Sequence, residues 1–255
     1  MRRPSSTRED LTPIFDPAIQ KLEFKVTVLP PEEPKVHAEL RRAGVDPVRR
    51  KVYFYDTPGL ALFARDLVLR ARVTAGDDDD STVKLRPLPL PDIPAGWSAT
   101  EGVRIELDVV GAKQVPSAKF DGEPDRGEIE QVEHGALKLS KLFTKAQEAL
   151  VADGLPGATA LNDLAMLGPV DARKWDLPPE TFPHELSVEE WSLPDGPHFV
   201  ELSFKVAPDE AESAERAFHS LLDRLQIGHA GDPDPKTPRV LRFFAERLSS
   251  RGGRA

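Results

Sequence analysis

Segment after segment of this chain alternates apolar with charged residues, and that period of two limits its possible folds more than any other feature. Leu22, Phe24 and Val26 alternate with Glu23 and Lys25, and Leu69, Ala71 and Val73 with Arg70 and Arg72. Val83 and Leu85 alternate with Lys84 and Arg86, and Val103, Ile105 and Leu107 with Arg104, Glu106 and Asp108. Near the other end, Val200, Leu202 and Phe204 alternate with Glu201, Ser203 and Lys205. Residues two apart share a face of a strand, so each segment is expected to be a strand with one apolar and one charged face. A sheet wetted on one side often has this pattern. Wetted faces, however, usually mix in Thr, Ser and Gln, whereas here nearly every polar position is charged and the signs are grouped by strand. Two architectures stay open: an open sheet with its charged face in water, or a barrel closed with that face inward and helices over the apolar outside.

A closed barrel of this kind suits one class of ligand. Several cations can grip phosphate oxygens, Arg by paired contacts, and carboxylates supply the oxygen ligands that Mg²⁺ or Mn²⁺ prefers. Burying so many charges would be costly without ions and phosphates to pair with them.

The remaining elements read as follows. The first strand covers Leu22 to Val28, and a short helix from Glu32 to Ala43 ends at Gly44. Lys51 to Tyr55, Leu67 to Thr74, Thr82 to Arg86 and Val103 to Val110 are strands; Thr57 to Arg65 is a turn with a short helix, in which Asp56 shapes the turn. The stretches from Pro87 to Pro94 and from Ala112 to Gly127 read as loops. Leu137, Leu139, Leu142, Ala146 and Leu150 give helical periodicity to Gly135–Asp153. Leu186–Leu193 and His198–Val206 flank Pro194-Asp195-Gly196-Pro197, a hairpin signal. Helices over Asp209–Leu225 and Thr237–Leu248 close the chain. Residues 1–18 read as a loose leader, 251–255 as a frayed tail, and 19–250 as one α+β domain.

Net charge is -9, which argues against general nucleic-acid binding or membrane-surface binding. The absence of Cys rules out disulfides and thiolate metal sites. The first residues lack the apolar core of a signal peptide and no apolar run reaches membrane-spanning length, so a cytoplasmic protein is expected. The six His are scattered without a His-x-x-x-His pair, the Asp77–Asp80 run lacks EF-hand spacing, and neither a P-loop nor a nucleophile elbow is present. Trp97, Trp175 and Trp191 read as core or rim residues.

Taken in order, the motifs resemble the CYTH family of triphosphate tunnel metalloenzymes. Lys21-Leu22-Glu23-Phe24-Lys25 is similar to its Glu-x-Glu-x-Lys signature, with Lys in the first place. Tyr53-Phe54-Tyr55-Asp56-Thr57-Pro58, Leu69-Arg70-Ala71-Arg72, Val83-Lys84-Leu85 and Arg104-Ile105-Glu106-Leu107-Asp108 resemble successive strands, and Arg173-Lys174-Trp175 a later basic one. Glu189 or Glu190, and Phe199-Val200-Glu201-Leu202-Ser203, are similar to the two final acidic strands, and Lys236 to a Lys near the C-terminal helix.

The resemblance spans roughly residues 20 to 245. It implies a closed, eight-stranded antiparallel β tunnel with a charged interior and helices outside. It also implies binding of a triphosphate or polyphosphate with Mg²⁺ or Mn²⁺, and hydrolysis of the terminal phosphoanhydride. By position, Glu23, Glu106, Asp108, Glu189 and Glu201 are the implied metal ligands. Lys25, Arg70, Arg72, Lys84, Arg104, Arg173 and Lys236 are the implied phosphate-binding residues, and Glu23, Lys25 and Glu106 the implied catalytic set. Lys21 in place of an acid, and Ser203 where many members have a second Glu, remove negative charge from the metal side. The alternatives are therefore a polyphosphate or nucleotide sensor without turnover, or an adenylate-cyclase-type activity. The sequence leaves the oligomeric state open.

Overall fold

A computed structural model describes residues 16–88, 97, 101–155, 157, 159–230 and 235–252. Most of the expected leader and tail, and most of the Pro87–Pro94 stretch, lie outside the described residues. The strands are β1 (Lys21–Val28), β2 (Val48–Asp56), β3 (Leu67–Thr74), β4 (Asp80–Leu85), β5 (Val103–Val110), β6 (Lys113–Gly122), β7 (Ala165–Asp176), β8 (Ser187–Ser192) and β9 (His198–Val206). The helices are α1 (Glu33–Ala43), α2 (Glu128–Glu133), α3 (Lys145–Gly154), α4 (Ala211–Leu225) and α5 (Lys236–Gly252).

The strands close into a barrel in the order β1-β5-β6-β4-β3-β2-β7-β8-β9, with β9 returning to pair with β1. The barrel therefore has nine strands, where the resemblance implied eight antiparallel ones. The ninth is β6, hidden in the stretch read as a loop. Its Ala118 and Phe120 point to the apolar outside while Lys119 and Asp121 point inward, but Pro116 interrupts the pattern. Pro116 pairs in register only with Leu107 of β5, because β4 reaches no further along β6 than Ala118. One side of the strand is therefore an edge at that point, where a missing N–H costs no ladder bond. Nine strands cannot close a ring with every neighbour antiparallel, since an odd ring needs at least one parallel pair. That pair is β1 and β5, which run parallel with Glu23 beside Asp108 and Lys21 beside Glu106.

The apolar faces form the main core outside the barrel. Leu22, Phe24, Leu69, Ile105, Leu107, Leu202 and Phe204 pack there against Val36 and Leu40 of α1, Val151 of α3, and Ala214, Phe218 and Leu222 of α4. Phe24 and Phe204, opposite each other on β1 and β9, stack with ring centres 5.2 Å apart. α3 begins with a capping box, Thr144 with Gln147. The Gln147 amide also donates to the carbonyls of Ser81 and Phe120, tying α3 to β4 and β6.

A second apolar cluster lies at one end of the barrel interior. Val52, Phe54, Val170, Ala172, Trp191 and Phe199 meet Val240, Leu241 and Phe244 of α5 there. The expected helix over Thr237–Leu248 thus stoppers the barrel instead of lying on its flank. The cause is the sequence of β2 and β7, whose inward positions turn from charged to apolar along their length.

Candidate functional site

Closing the barrel brings the charged strand faces together around its axis, and three groups of side chains line it. The first is on β1, β4, β5 and β9. Lys25 Nζ lies 2.9 Å from Glu23 and 2.9 Å from Asp108. Lys84 reaches Asp108 at 2.9 Å and Arg86 reaches it at 3.0 Å. Lys205 Nζ sits 2.6 Å from Glu106 Oε1, while Glu106 Oε2 is buried with no hydrogen-bond partner. Asp108 is fully buried, and its carboxylate is held by three cations.

The second group sits on β3, β4, β5 and β6. Arg70 and Arg72 share Asp80, at 3.2 and 2.6 Å, and Arg70 also donates to Thr82 Oγ1. Lys119 lies 2.8 Å from Asp121, which Arg104 also engages. The third group joins β2, β8 and β9 to the stopper. Arg50 lies 3.1 Å from Glu189, and Lys236 Nζ bridges Glu189 at 2.7 Å and Glu201 at 2.8 Å. Trp191 completes this group, donating Nε1–H to Glu189 and lying 4.3 Å below the Lys236 ammonium.

The electrostatics of these walls favour anions. Burial pulls the pKa of Arg50 and Arg70 below the usual guanidinium range, and the nearby Arg72 adds to the effect in both. Lys84 and Lys119 are likewise lowered by burial, which their partners Asp108 and Asp121 only partly offset, with a smaller lowering from neighbouring cations. The carboxylates shift the opposite way. Burial alone would raise Glu23, but Lys25, Lys205 and Lys84 hold it well below the ordinary value. Burial would also raise Asp108 and Glu189; Lys25 and Lys84 lower the first, and Lys236 the second. Lys25 is raised against the pull of burial by Glu23 and Asp108. Glu23, Asp108 and Glu189 are thus compensated by neighbouring cations, whereas burial of Arg50, Arg70, Lys84 and Lys119 is not fully offset.

Most of the sequence-derived residues meet inside the barrel: Glu23, Lys25, Arg70, Arg72, Lys84, Glu106, Asp108, Glu189, Glu201 and Lys236; Arg104, on the inward face of β5, is half exposed and reaches Asp121. Of the alternatives Glu189 and Glu190, the inward one is Glu189; Glu190 faces outward near His37. Arg173 is corrected: it is exposed, beside Arg49 on β2 and Glu190 on β8, while its neighbour Lys174 stands opposite Glu189. A three-residue motif without its surrounding strand gives no parity, and parity decides which of two adjacent basic residues turns inward. Lys21 is exposed at the start of β1.

Sequence reasoning missed several wall residues. Arg50 lies on β2 ahead of where the strand was expected to begin. Asp80 belongs to an acidic run that reads as a solvated loop, yet it opens β4. Lys119 and Asp121 carried a usable signal, since they alternate with Ala118 and Phe120.

As arranged, the implied metal ligands do not form a metal site. Each of the five carboxylates carries an ammonium or guanidinium at 2.6–3.1 Å. Among the described residues no three His, Asp or Glu side chains gather to hold an ion. Glu106 Oε2 offers one ligand position where Mg²⁺ or Mn²⁺ requires several. A cavity of about 290 Å³ lies away from these groups, lined by Ser140, Glu148, Leu161 and neighbours.

No protein-family model matches the chain, and no curated protein does. Solved structures do. One is a candidate adenylyl cyclase from Hippeastrum with a dominant triphosphatase activity, at TM-score 0.60 and 16% identity over 88% of this chain and 95% of that one. Another is a candidate adenylate cyclase from Bacillus halodurans, at TM-score 0.58 and 16% identity over 87% of this chain and 96% of that one. The chain shares the barrel fold of these two proteins. At 16% identity the likeness carries the fold of the tunnel, and the chemistry must be argued from this chain's own residues. No helix among the described residues is long and apolar enough to cross a membrane.

Proposed function

We propose that residues 19–250 form one triphosphate-tunnel domain that binds a triphosphate or polyphosphate end in the barrel and hydrolyses its terminal phosphoanhydride. The observation that carries this reading is the surplus of buried positive charge. Arg50, Arg70, Lys84 and Lys119 are desolvated, and the carboxylates beside them leave them under-compensated. A chain of phosphate groups supplies the missing negative charge, and guanidiniums bind it by paired hydrogen bonds. A neutral ligand would leave the burial cost standing.

In the hydrolytic step a water attacks the terminal phosphorus and the bond to the bridging oxygen breaks. Inorganic phosphate and the shortened chain leave, and the water's proton passes to a base. Arg70, Arg72 and Lys84 bind the phosphate oxygens and stabilise the charge that spreads over them. Glu106 is the group best suited to orient the water, because its Oε2 is buried without a partner. Lys25 positions Glu23 and Asp108 by its two ion pairs. The acids that the resemblance assigns to Mg²⁺ or Mn²⁺ are held by this chain's own cations, and we assign the metal no ligand set here. The location is proposed to be cytoplasmic, where nucleotides and polyphosphate are available.

A second reading, binding without turnover, is favoured by the cations that occupy every implied metal ligand. Calorimetry with tripolyphosphate at low salt tests binding, and its absence would end both readings. Phosphate release from tripolyphosphate, ATP and an RNA 5′-triphosphate, with cyclic AMP measured in parallel, then separates hydrolase, sensor and cyclase.

A further inference from the structure

The carboxylates that a metal would need already belong to lysines and an arginine of this chain. Glu23, Glu106 and Asp108 are met by Lys25, Lys84, Arg86 and Lys205, each contact between 2.6 and 3.0 Å. Three negative charges thus face four positive ones before any ligand arrives. A divalent cation entering here would have to displace those side chains and would join a wall that is already net positive. A phosphate oxygen meets no such obstacle. It can draw the same ammonium groups toward itself, and Lys205, 40% exposed, is free to swing. The strand register adds a further lysine, for Lys21 lies beside Glu106 across the parallel β1/β5 pair.

We propose that this tunnel takes its triphosphate without a divalent metal, with Lys25, Lys84, Arg86 and Lys205 supplying the positive charge a metal would bring. An ammonium does not match a metal in every respect. It neutralises phosphate oxygens and donates hydrogen bonds, but it cannot polarise a bound water as a Lewis acid does. The inference rests on the triphosphate-binding reading above and specifies how that same site works.

The test is calorimetric titration of tripolyphosphate into the full chain in EDTA, and again with millimolar Mg²⁺. Affinity in EDTA equal to or tighter than that with Mg²⁺ supports the proposal. Binding that needs Mg²⁺, or tightens about tenfold with it, overturns the proposal while leaving the triphosphate reading intact. No binding in either buffer overturns both. Two variants probe the residues. Lys205→Met should lower affinity in EDTA by roughly tenfold to a hundredfold, the effect of losing one charge-assisted contact. Lys21→Glu, at an exposed position that the fold does not depend on, should weaken binding in EDTA and make it recover with Mg²⁺. Unchanged affinity in both variants would overturn the assignment of charge to this wall.

Discussion

Replacing Asp108 by Asn should weaken the folded protein and strengthen its hold on a triphosphate, two effects of opposite sign from one lost charge. Asp108 is fully buried and meets Lys25 and Lys84 at 2.9 Å and Arg86 at 3.0 Å. Asn keeps the shape but leaves three cations crowded together without a counter-charge. Removing one partner of a buried ion pair typically costs about 3–5 kcal/mol. For a domain of this size each kcal/mol moves Tm by about 2–4 °C, so a fall of roughly 10 °C is expected. Tripolyphosphate reverses the deficit, because its oxygens replace the missing carboxylate. At a hundred times Kd a ligand returns about 2.7 kcal/mol to any binder, and the variant's tighter Kd should give it more than the wild type gains at equal concentration. Thermal melts of both proteins with and without tripolyphosphate, together with calorimetry, measure each part. A loss below about 1 kcal/mol would refute the buried three-cation cluster. Weaker binding by the variant would refute the claim that these cations are what the phosphate chain meets.

Arg70→Ala and Arg72→Ala should each weaken tripolyphosphate binding by about 1.5–3 kcal/mol, read by calorimetry, while the far-ultraviolet spectrum stays unchanged. Lys236→Met should lower the urea midpoint by an amount worth about 2–4 kcal/mol, since Glu189 and Glu201 lose their shared partner and α5 loses its polar anchor. Gly154→Ala should cost about 1–3 kcal/mol by overpacking, because a Cβ there would stand 2.2 Å from Leu67 Cδ1 in the outer core, and triphosphate affinity should not change. In acid, Glu23, Asp108, Asp121 and Glu189 all have folded pKa values held below the ordinary range, the neighbouring cations outweighing burial. Their contribution is therefore complete above the unfolded carboxylate pKa of about 4 and is lost as pH falls through the lower folded values, so urea midpoints should hold from neutrality to mild acid and then drop.

The sequence by itself determined the two-faced strands, because a period of two is written in side-chain type and needs no partner to be read. Residues 22–28, 67–74, 82–86 and 103–110 carried that signal strongly, and with it came Glu23, Lys25, Arg70, Arg72, Lys84, Glu106 and Asp108. The order of the motifs added Glu189, Glu201 and Lys236. What only the tertiary structure decided was how those faces meet. Closure made a tunnel of what a wetted sheet would equally well explain, and an odd strand number forced β1 to lie parallel to β5. Strand pairing also recruited Arg50, Asp80, Lys119 and Asp121, which stand in a basic run, an acidic run and a proline-broken stretch. The same pairing turned Arg173 outward, since on a strand one residue of displacement changes the face. Above all, the sequence shows acids and bases without saying which touch. The distances set by the closed barrel assign every implied metal ligand a cation of this chain.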